Sequence, residues 1–352
     1  MNLSELRKKA HIRICLEEEV EIGDPLFDDV HLIHQAVPKV NLEEIDASRE
    51  FLGKRLDFPL VIAAMTGGFN EGRDICRLLA QVAEKKRIAF SAGSQRRMIE
   101  RPESTDTYKV RDVAPNILLF GNIGITSLKK FSPQKIARAV HAIDADALCI
   151  HINPAQEIFQ KGGDCDFSGC SAALKKLCDS IDVPVIGKEV GNGISRECAQ
   201  HLKEVGVSAI DVGGFGGTSW IIVDSLHSGI DSSTHIGWGI PTAASILESK
   251  VGLPIIATGG IRNGLQMAKA IALGADLCGI ALPFLHILRK KGGSEVEKYI
   301  DDLTREFKRT MFLTGCKNVD DLKRARFVLT GSLKEWFDQL EYRKCHIEEQ
   351  GK

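Results

Sequence analysis

The stretch ALCIHINPAQEIFQKG, residues 147–162, decides the fold and holds the candidate site. It opens with an apolar run at residues 147–152, which is typical of a buried strand. Pro154 then ends the strand, because proline has no N–H for a sheet ladder. The polar residues around this strand end are His151, Asn153, Gln156 and Glu157. In α/β enzymes such a cluster displays a catalytic site, although a polar loop without a role is the alternative for this stretch alone.

Seven similar runs accompany this strand, and helix-compatible segments separate most of them. The eight runs lie at residues 59–64, 87–91, 117–121, 147–152, 183–188, 208–212, 254–258 and 277–281. Strands that alternate with helices predict parallel pairing with right-handed crossovers. Eight such units predict an α/β fold in which a single (β/α)8 TIM barrel closes on itself.

Both ends of the chain add segments to this barrel. Residues 1–56 are expected to form an N-terminal arm and connector, which either plugs the barrel bottom or contacts another subunit. Residues 57–290 form the barrel, and residues 291–352 form a C-terminal helical segment packed on it. Within that segment, residues 295–315 show the period of a helix that ends at Gly315, and a second short helix is expected in residues 319–331.

Composition argues against several classes of function. The chain has 352 residues, 43% of them hydrophobic and 26% charged, and a net charge of −1, so no global field attracts nucleic acid. Ten cysteines without a CxxC pair fit neither a zinc site nor a disulfide framework. We therefore expect a reducing, cytoplasmic location. The sequence shows no signal peptide, and no run of about 18 apolar residues predicts a membrane span.

The residues that follow the eight runs are small or polar at every strand end. Glycines among them allow a backbone to approach a ligand closely. At the seventh end, TGGIRNG (258–264) leads into a helix whose first N–H groups attract an anion, and Arg262 adds positive charge. This pattern predicts a phosphate site, with a simple tight turn as the alternative.

Four strand ends, the first, second, third and fifth, carry hydrogen-bonding side chains, namely Thr66, Ser94, Asn122 and Lys188. Neutral donors and one cation suit a planar, carbonyl-rich ring with an anionic edge, such as a flavin. A salt bridge inside the barrel, with Glu189 or a similar acid, is the alternative for Lys188. The Gly-rich insert GGFGGTSW (213–220) is expected to close over the cofactor and to become ordered when the cofactor binds.

A second anion site is predicted where the basic arm meets the second strand end. Its residues are Arg7, Lys8, Ser94, Gln95 and Arg96. A solvated helix face is the alternative for the basic cluster of the arm. Glu157 can hold Mg²⁺ if a diphosphate supplies further oxygen ligands, since Mg²⁺ is often bound with few protein groups.

The motifs of the chain, in their order, resemble those of the type 2 isopentenyl-diphosphate isomerases. The matching segments are RKKAH (7–11), MTGG (65–68), GSQR (93–96), GNIG (121–124), HINPAQE (151–157), GKEVGNG (187–193), GGFGGTSW (213–220) and ATGGIR (257–262). They span most of the chain, and no motif of that family is missing. The resemblance implies an FMN-dependent barrel enzyme that interconverts isopentenyl and dimethylallyl diphosphate. It also implies a flavin reduced by NADPH, assistance from Mg²⁺, and a homotetramer or homo-octamer.

The resemblance further implies a role for each site residue. Arg7, Lys8, Ser94, Gln95 and Arg96 are expected to grip the diphosphate, and Glu157 to ligate Mg²⁺. Gln156 is expected to contact the substrate near its reacting carbons, with His151 and Asn153 lining the same pocket. The residues expected around the flavin ring and ribityl chain are Ala64, Met65, Thr66, Ser94, Asn122, Lys188 and Thr218. Those expected around its phosphate are Gly259, Gly260, Arg262, Ala281 and Leu282.

Chemistry supports a flavin as the acid and base. Moving the double bond adds a proton to an unactivated alkene carbon, and side-chain acids at neutral pH are poorly matched to that step. An amide such as that of Gln156 is no acid, and a metal would occupy Glu157. Reduced flavin is therefore expected to move the protons while the protein positions the substrate.

Two other functions compete with this hypothesis. An FMN-dependent hydroxy-acid oxidase shares the barrel but needs a His/Arg pair after a late strand, where this chain has GGFGGTSW. A nucleotide-oxidising barrel needs a loop cysteine, and no strand end carries one in the expected Gly-rich setting. A phosphate sensor or scaffold without activity is the non-enzymatic alternative, which the polar residues at all eight strand ends disfavour.

Overall fold

The structure, a computed structural model, describes residues 3–350, with side chains described for residues 5–342. Its strands are β1 (Val30–Leu32), β2 (Arg49–Phe51), β3 (Lys54–Leu56), β4 (Leu60–Ile62), β5 (Ala89–Ser91), β6 (Leu119–Gly124), β7 (Ala147–Ile152), β8 (Val185–Glu189), β9 (Ala209–Asp211), β10 (Ile255–Thr258), β11 (Leu277–Ile280) and β12 (Phe327–Leu329). Its helices are α1 (Leu3–Glu17), α2 (Asn70–Lys86), α3 (Arg96–Glu100), α4 (Pro133–His141), α5 (Pro154–Phe159), α6 (Cys170–Cys178), α7 (Arg196–Glu204), α8 (Trp220–Ser228), α9 (Thr242–Glu248), α10 (Gly264–Leu273), α11 (Leu282–Lys291), α12 (Gly293–Thr314), α13 (Val319–Lys323) and α14 (Gly331–Gln350).

Strands β4 to β11 form a closed parallel barrel, which confirms the predicted (β/α)8 fold. They pair in chain order, and β11 returns to β4, with Gly279 opposite Val61. Each predicted run overlaps one barrel strand, although β6 and β8 continue beyond the predicted ends at residues 121 and 188. The register places His151 opposite both Gly124 and Lys188, so polar residues from three strands meet at one edge.

The hairpin β2–β3 closes the end of the barrel opposite this edge. Phe51 and Leu56 are buried and pack against apolar side chains at the beginnings of the barrel strands, such as Val61 and Ala147. Burying one such side chain stabilises the fold by about 2 kcal/mol. This part of the N-terminal segment is therefore a plug for the barrel bottom.

Helix α1 lies at the other end and packs against α8 and α11. Its apolar residues Ile12, Ile14 and Cys15 are buried in the main core. Its basic residue Lys8 points at the barrel: the ammonium group donates to the carbonyl of Gly67 over 2.6 Å. Lys8 therefore does not lie on a solvated helix face, which was the alternative for the basic cluster of the arm.

The C-terminal segment matches the sequence prediction at one helix and departs from it at another point. Helix α12 ends at Gly315, which adopts the left-handed conformation (φ 72°) that favours glycine after a helix. The second helix, α13, ends at Lys323, so the prediction of a helix through residues 324–331 is wrong. Phe327–Leu329 forms β12 instead, which pairs antiparallel with β1, so a partner some 300 residues away overrides local helical spacing.

No helix within the described residues is long and apolar enough to cross a membrane.

Candidate active site

One cavity of about 270 Å³ opens where the carboxyl ends of the barrel strands meet helix α1. The predicted site residues that line it are Arg7, Lys8, Ala64, Met65, Thr66, Ser94, Arg96, Asn122, His151, Asn153, Gln156, Glu157, Lys188, Thr218, Gly259, Gly260, Arg262, Ala281 and Leu282. The barrel thus gathers both predicted anion sites and the predicted ring site into one space.

Gln95 is the predicted residue that this space does not include. Its side chain is buried and donates from Nε2 to the carbonyl of Ala139 over 2.7 Å. Its Oε1 accepts from the N–H of Asn122 over 3.0 Å. The direct contact with diphosphate expected for Gln95 is therefore wrong for this geometry. Ser94 and Arg96 face the cavity, and Gln95 between them is turned outward to brace the β5 end against β6 and α4.

Lys188 lies in a buried ion pair and also lines the cavity. Its Nζ is 2.7 Å from Oδ2 of Asp211, and Thr258 adds a hydroxyl contact at 3.4 Å. The hydroxyl of Thr258 donates in turn to Asp211. The alternative of an internal salt bridge is thus realised, with Asp211 rather than with Glu189. Because the ammonium group still faces the cavity, the ion pair holds a positive charge at the wall where an anionic ring edge is expected.

His151 is held as a neutral ring. Burial lowers the pKa of its imidazole to about 4, and the charges of Lys188 and Lys8 contribute to the shift. Nδ1 lies 2.7 Å from Oδ1 of Asn122, which fixes the tautomer that carries its proton on Nδ1. Nε2 is then an acceptor, and it packs against Gly124, where a Cβ atom would come within 2.8 Å of it.

Glu189 shapes the loop after β8 instead of pairing with its neighbour. Its Oε2 accepts from four successive backbone N–H groups, the closest being those of Asn192 (2.5 Å), Val190 (2.6 Å) and Gly191 (2.6 Å). Burial raises the pKa of this carboxyl to about 7, and the backbone donors oppose that rise. Val190 and Gly191 line the cavity, so Glu189 determines the shape of that wall.

Thr66 offers a hydroxyl without a protein partner. Its Oγ1 is buried, makes no hydrogen bond, and belongs to a residue that lines the cavity. Buried polar groups are nearly always paired, and leaving one unpaired costs about 1–3 kcal/mol. Such an atom fits a ligand that brings its own hydrogen-bonding group, as a flavin ring does.

The predicted phosphate site lies at the loops after β9 and β10, which pack backbone against backbone. Gly259 and Gly260 have φ values of 113° and 70°, which favour glycine. A Cβ atom on Gly259 would lie 2.1 Å from the carbonyl oxygen of Gly214, so any larger residue would push the loops after β9 and β10 apart. Arg262 beside them forms an ion pair with Glu21.

The helix expected to attract the phosphate is corrected by the structure. The first N–H groups of α10 are occupied, because Glu306 accepts from Gly264 and Asn263 caps the helix by accepting from Gln266. Helix α11 starts at Leu282 without a side-chain cap, and Ala281 and Leu282 line the cavity. The helix start that lines this cavity is therefore that of α11.

Helix α1 brings Lys8, whose pKa is strongly lowered, to the opposite end of the cavity. Lys8 donates to the carbonyls of Gly67 and Ser94 and to the hydroxyl of Tyr108. Burial, followed by the charge of Arg97, lowers the pKa of Lys8 to about 7. An anion in the cavity would favour the charged ammonium group and raise this pKa.

A polar network orders the residues after β7. Asn153 donates from Nδ2 to Oε1 of Gln156 (3.0 Å) and to Oε1 of Glu157 (2.9 Å). Gln156 donates from Nε2 to Oδ2 of Asp224 over 2.8 Å, and His11 approaches the other oxygen of Asp224 at 2.9 Å. Sequence reasoning missed Asp224, although a single acid in the apolar helix segment WIIVDSL was a usable signal.

Glu157 is the residue predicted to hold a metal. Its Oε2 accepts from Gln160 (3.0 Å) and from the N–H of Asp164 (2.7 Å), which points the carboxylate into a fixed direction. Among the described residues, no group of three or more His, Cys, Asp or Glu side chains is arranged to hold a metal ion. The donor set fits Mg²⁺ only with Glu157 as its single protein carboxylate and with oxygen ligands from a diphosphate and water.

The sequence is similar to those of FMN-dependent dehydrogenases and of isopentenyl-diphosphate delta-isomerases. A family model described as FMN-dependent dehydrogenase matches residues 151–329. An isopentenyl-diphosphate delta-isomerase of Pyrococcus furiosus is 45% identical over 350 residues, covering 95% of this chain and 89% of the relative. One of Archaeoglobus fulgidus is 46% identical over 338 residues, covering 94% of this chain and 98% of the relative.

Solved structures share the barrel at lower sequence identity. A flavocytochrome b2 variant with sulfite bound has a TM-score of 0.69 at 19% identity, covering 95% of this chain and 88% of the other. A mandelate oxidase with (S)-2-phenylpropionate has a TM-score of 0.63 at 17% identity, covering 92% of this chain and 98% of the other. At these identities the similarity shows the fold alone.

Proposed function

Because the chain belongs to the isopentenyl-diphosphate delta-isomerase family, we propose that it interconverts isopentenyl and dimethylallyl diphosphate with reduced FMN as its cofactor. The observation that carries this proposal is the cavity at the carboxyl ends of the strands, which brings the side chains of Thr66 and Lys188 together with a cluster of cations. The finer features proposed below are NADPH as reductant, Mg²⁺ assistance and the roles of individual residues.

The cofactor half of the cavity offers groups that suit FMN. The unpaired hydroxyl of Thr66 and the ammonium group of Lys188 would face the ring, with Ala64, Met65, Asn122 and Thr218 around it. Gly259, Gly260, Arg262, Ala281 and Leu282 would hold its phosphate. Reduced FMN supplies acid/base chemistry that the carboxylates and amides of this cavity cannot match at neutral pH.

The other half fits the diphosphate group. Arg7, Lys8 and Arg96 bring positive charge to one wall of the cavity, and Ser94 adds a short polar side chain. Hydrogen bonds from charged donors to phosphate are roughly twice as strong as neutral ones. The diphosphate group lies away from the reacting carbons, and its binding energy would hold the alkene against the flavin ring. This would raise the fraction of productive encounters.

Gln156, Asn153 and His151 are proposed to position the reacting carbons. Asp224 can only accept while ionised, so it fixes which way the amide of Gln156 points. Asn153 holds the opposite end of that amide. The neutral ring of His151 adds a fixed acceptor without adding charge. These three side chains orient the substrate and leave proton transfer to the cofactor.

Glu157 is proposed to hold Mg²⁺ together with diphosphate oxygens. The support is its fixed direction, which Asn153 and Gln160 maintain, and its place in the cavity wall. The metal would neutralise charge on the diphosphate, so Glu157 is a binding residue in this proposal.

A hydroxy-acid oxidase is the competing function that the FMN-dependent dehydrogenase match raises. Such an enzyme needs a His/Arg pair after a late strand. Among the described residues, the histidines that line the cavity are His11 on α1 and His151 at the end of β7. His227 and His235, which follow β9, lie outside it. The geometry therefore favours the isomerase.

An anaerobic assay with isopentenyl diphosphate tests the proposal, with FMN, Mg²⁺ and NADPH omitted in turn. We expect dimethylallyl diphosphate only when reduced FMN is present, and a lower rate without Mg²⁺. Product formation by the FMN-free protein would refute the role of the cofactor. In a separate aerobic assay, oxidation of a 2-hydroxy acid to the 2-oxo acid with reduction of O2 to H2O2, without any isomerisation, would establish the oxidase.

We also propose a cytoplasmic homotetramer or homo-octamer, on the resemblance to the isomerase family. Size-exclusion chromatography with light scattering of the FMN-loaded protein tests the assembly. Four or eight copies are expected, and a stable monomer would contradict it.

A further inference from the structure

Arg97, the residue after the matched GSQR segment, has an incompletely used guanidinium group. Its Nη2 donates to Oε2 of Glu5 on helix α1 over 3.0 Å. Its Nε and Nη1 are buried and have no hydrogen-bond partner. Only 14% of the side chain is exposed, and Arg97 lines the same cavity as Lys8 and Ser94.

A buried, charged donor without an acceptor is costly and rare in folded proteins. The ion pair with Glu5 satisfies Nη2 alone, and the other basic side chains on the same wall offer Nε and Nη1 no acceptor. The charge of Arg97 is already felt at Lys8, where it is the second cause, after burial, of the lowered pKa. An acceptor with several negative oxygens is the group that would satisfy this wall.

Arg96 differs from Arg97 in the pairing of its Nε and in the exposure of its side chain. Its Nε is paired with Oε1 of Glu100 over 2.8 Å, and 42% of its side chain is exposed. Exposed ion pairs of this kind are worth about 0–1 kcal/mol and are screened by salt. Of the two adjacent arginines, Arg97 is therefore the better placed to bind an anion in the cavity.

We propose that Arg97 binds the diphosphate group, donating from Nε and Nη1 to its oxygens while Glu5 holds Nη2. The ligand class is inorganic pyrophosphate and diphosphate esters. Identification of the ester as an isoprenoid rests on the proposed function, whereas the binding of pyrophosphate does not. Glu5 acts as a positioning residue, because it touches the guanidinium group and links it to helix α1.

Calorimetric titration of the FMN-loaded, full-length protein with inorganic pyrophosphate tests this contact. R97M should bind about 10- to 100-fold more weakly, the range expected for losing hydrogen bonds from a charged group. R97K keeps the charge with fewer donors and should lie between R97M and the parent. The matched control is R101M, because Arg101 is more than half exposed and paired with Glu103. It should bind within about twofold of the parent.

The variant E5Q distinguishes direct anion binding by Arg97 from a purely structural role of the ion pair between Glu5 and Arg97. It removes the carboxylate charge but leaves an amide oxygen that can still accept from Nη2 of Arg97, so we expect less than about a threefold loss of pyrophosphate affinity. A loss as large as that of R97M would overturn the proposal, because Arg97 would then act through the docking of α1. Binding by R97M within twofold of the parent, with FMN retained, would also overturn it.

Turnover distinguishes this inference from the proposed function. In an active parent, R97M should raise KM for isopentenyl diphosphate about as much as it weakens pyrophosphate binding, with little change in kcat. If the parent binds pyrophosphate through Arg97 but forms no dimethylallyl diphosphate, the isomerase proposal fails and the diphosphate contact stands. If the parent isomerises and R97M has an unchanged KM, the contact fails alone.

Discussion

Gln156 and Asp224 face each other across 2.8 Å, with the amide donating to a carboxylate that is completely buried. Asp224 comes from α8 and Gln156 from α5, so the contact joins the helix that follows β7 to the helix that follows the Gly-rich insert. The carboxylate also meets His11 from α1. One acid thus ties together three elements that surround the cavity, and its effect on the site passes through the orientation of Gln156.

We therefore expect D224N to reduce kcat about 10- to 100-fold with FMN still bound. An asparagine side chain can donate as well as accept, so the Gln156 amide is free to flip and present the wrong end to the substrate. Steady-state kinetics with isopentenyl diphosphate measures the effect. D231N is the matched control, because Asp231 is an exposed loop residue that caps Ser233. Unchanged kcat in D224N would show that Gln156 needs no such support.

The buried pair Lys188–Asp211 should make a large contribution to stability when one partner is removed. K188M leaves an uncompensated carboxylate in the barrel and should lower the free energy of unfolding by about 3–5 kcal/mol. The double variant K188M/D211N should recover part of this loss. Urea unfolding of the FMN-free proteins gives both values. K175M, which breaks the exposed pair with Asp179, should change stability by less than about 1 kcal/mol.

Binding of pyrophosphate should weaken as pH rises above 7, because of Lys8. The pKa of Lys8 is lowered to about 7 in the free protein, and a bound anion raises it. Below pH 7 the ammonium group is charged in both states and pH has no effect through it. Above pH 7 binding must take up a proton, so affinity falls by at most tenfold per pH unit until the raised pKa is reached.

Comparison of the parent with K8R isolates this effect from the titration of pyrophosphate itself. Arginine stays protonated throughout, so K8R should lose the part of the pH dependence that Lys8 causes. Calorimetric titrations at several pH values between 6 and 9 provide the two curves. Parallel curves for K8R and the parent would mean that Lys8 does not titrate in this range.

His151 should make the protein less stable as pH falls below about 6.5. Its folded pKa is lowered to about 4, whereas an unfolded histidine has a pKa near 6.5. Between these values the unfolded chain binds more protons, so the free energy of unfolding falls with decreasing pH by at most about 1.4 kcal/mol per unit. H151N should remove this contribution. Urea unfolding at pH 7 and pH 5 measures it, and an equal loss in H151N and the parent would assign the pH dependence to other groups.

The barrel and most of the cavity wall were predictable because they follow local rules. A strand is apolar until it leaves the core, and the residue after it must be small or polar to face a ligand, so Thr66 and Lys188 could be placed from the sequence. The outward turn of Gln95 could not be placed, because it depends on Ala139 and Asn122 in neighbouring units. Tertiary partners also decided that β12 pairs with β1.

Partners that are distant in the sequence also explain why the predictions about charged groups were incomplete. The pattern GGIRNG predicts an anion at the start of α10, but Glu306 from a distant helix already occupies that N–H group. The motif GSQR points to Arg96 and not to Arg97, and only the fold shows that Arg97 is buried beside Glu5 while Arg96 is exposed. Local sequence reports which groups are present, and their partners are set by the fold.

Thr66 allows a test in which stability and cofactor binding move in opposite directions. T66V removes a buried hydroxyl that has no partner in the FMN-free protein, so the free energy of unfolding should stay equal or rise by up to about 1 kcal/mol. If FMN pairs with this hydroxyl, T66V should bind FMN about 5- to 30-fold more weakly, measured by fluorescence titration. Ser91 is the matched control: its hydroxyl is also buried, but Ser91 does not line the cavity. S91A should leave FMN affinity unchanged, and an equal loss in both variants would show that Thr66 acts on the barrel rather than on the cofactor.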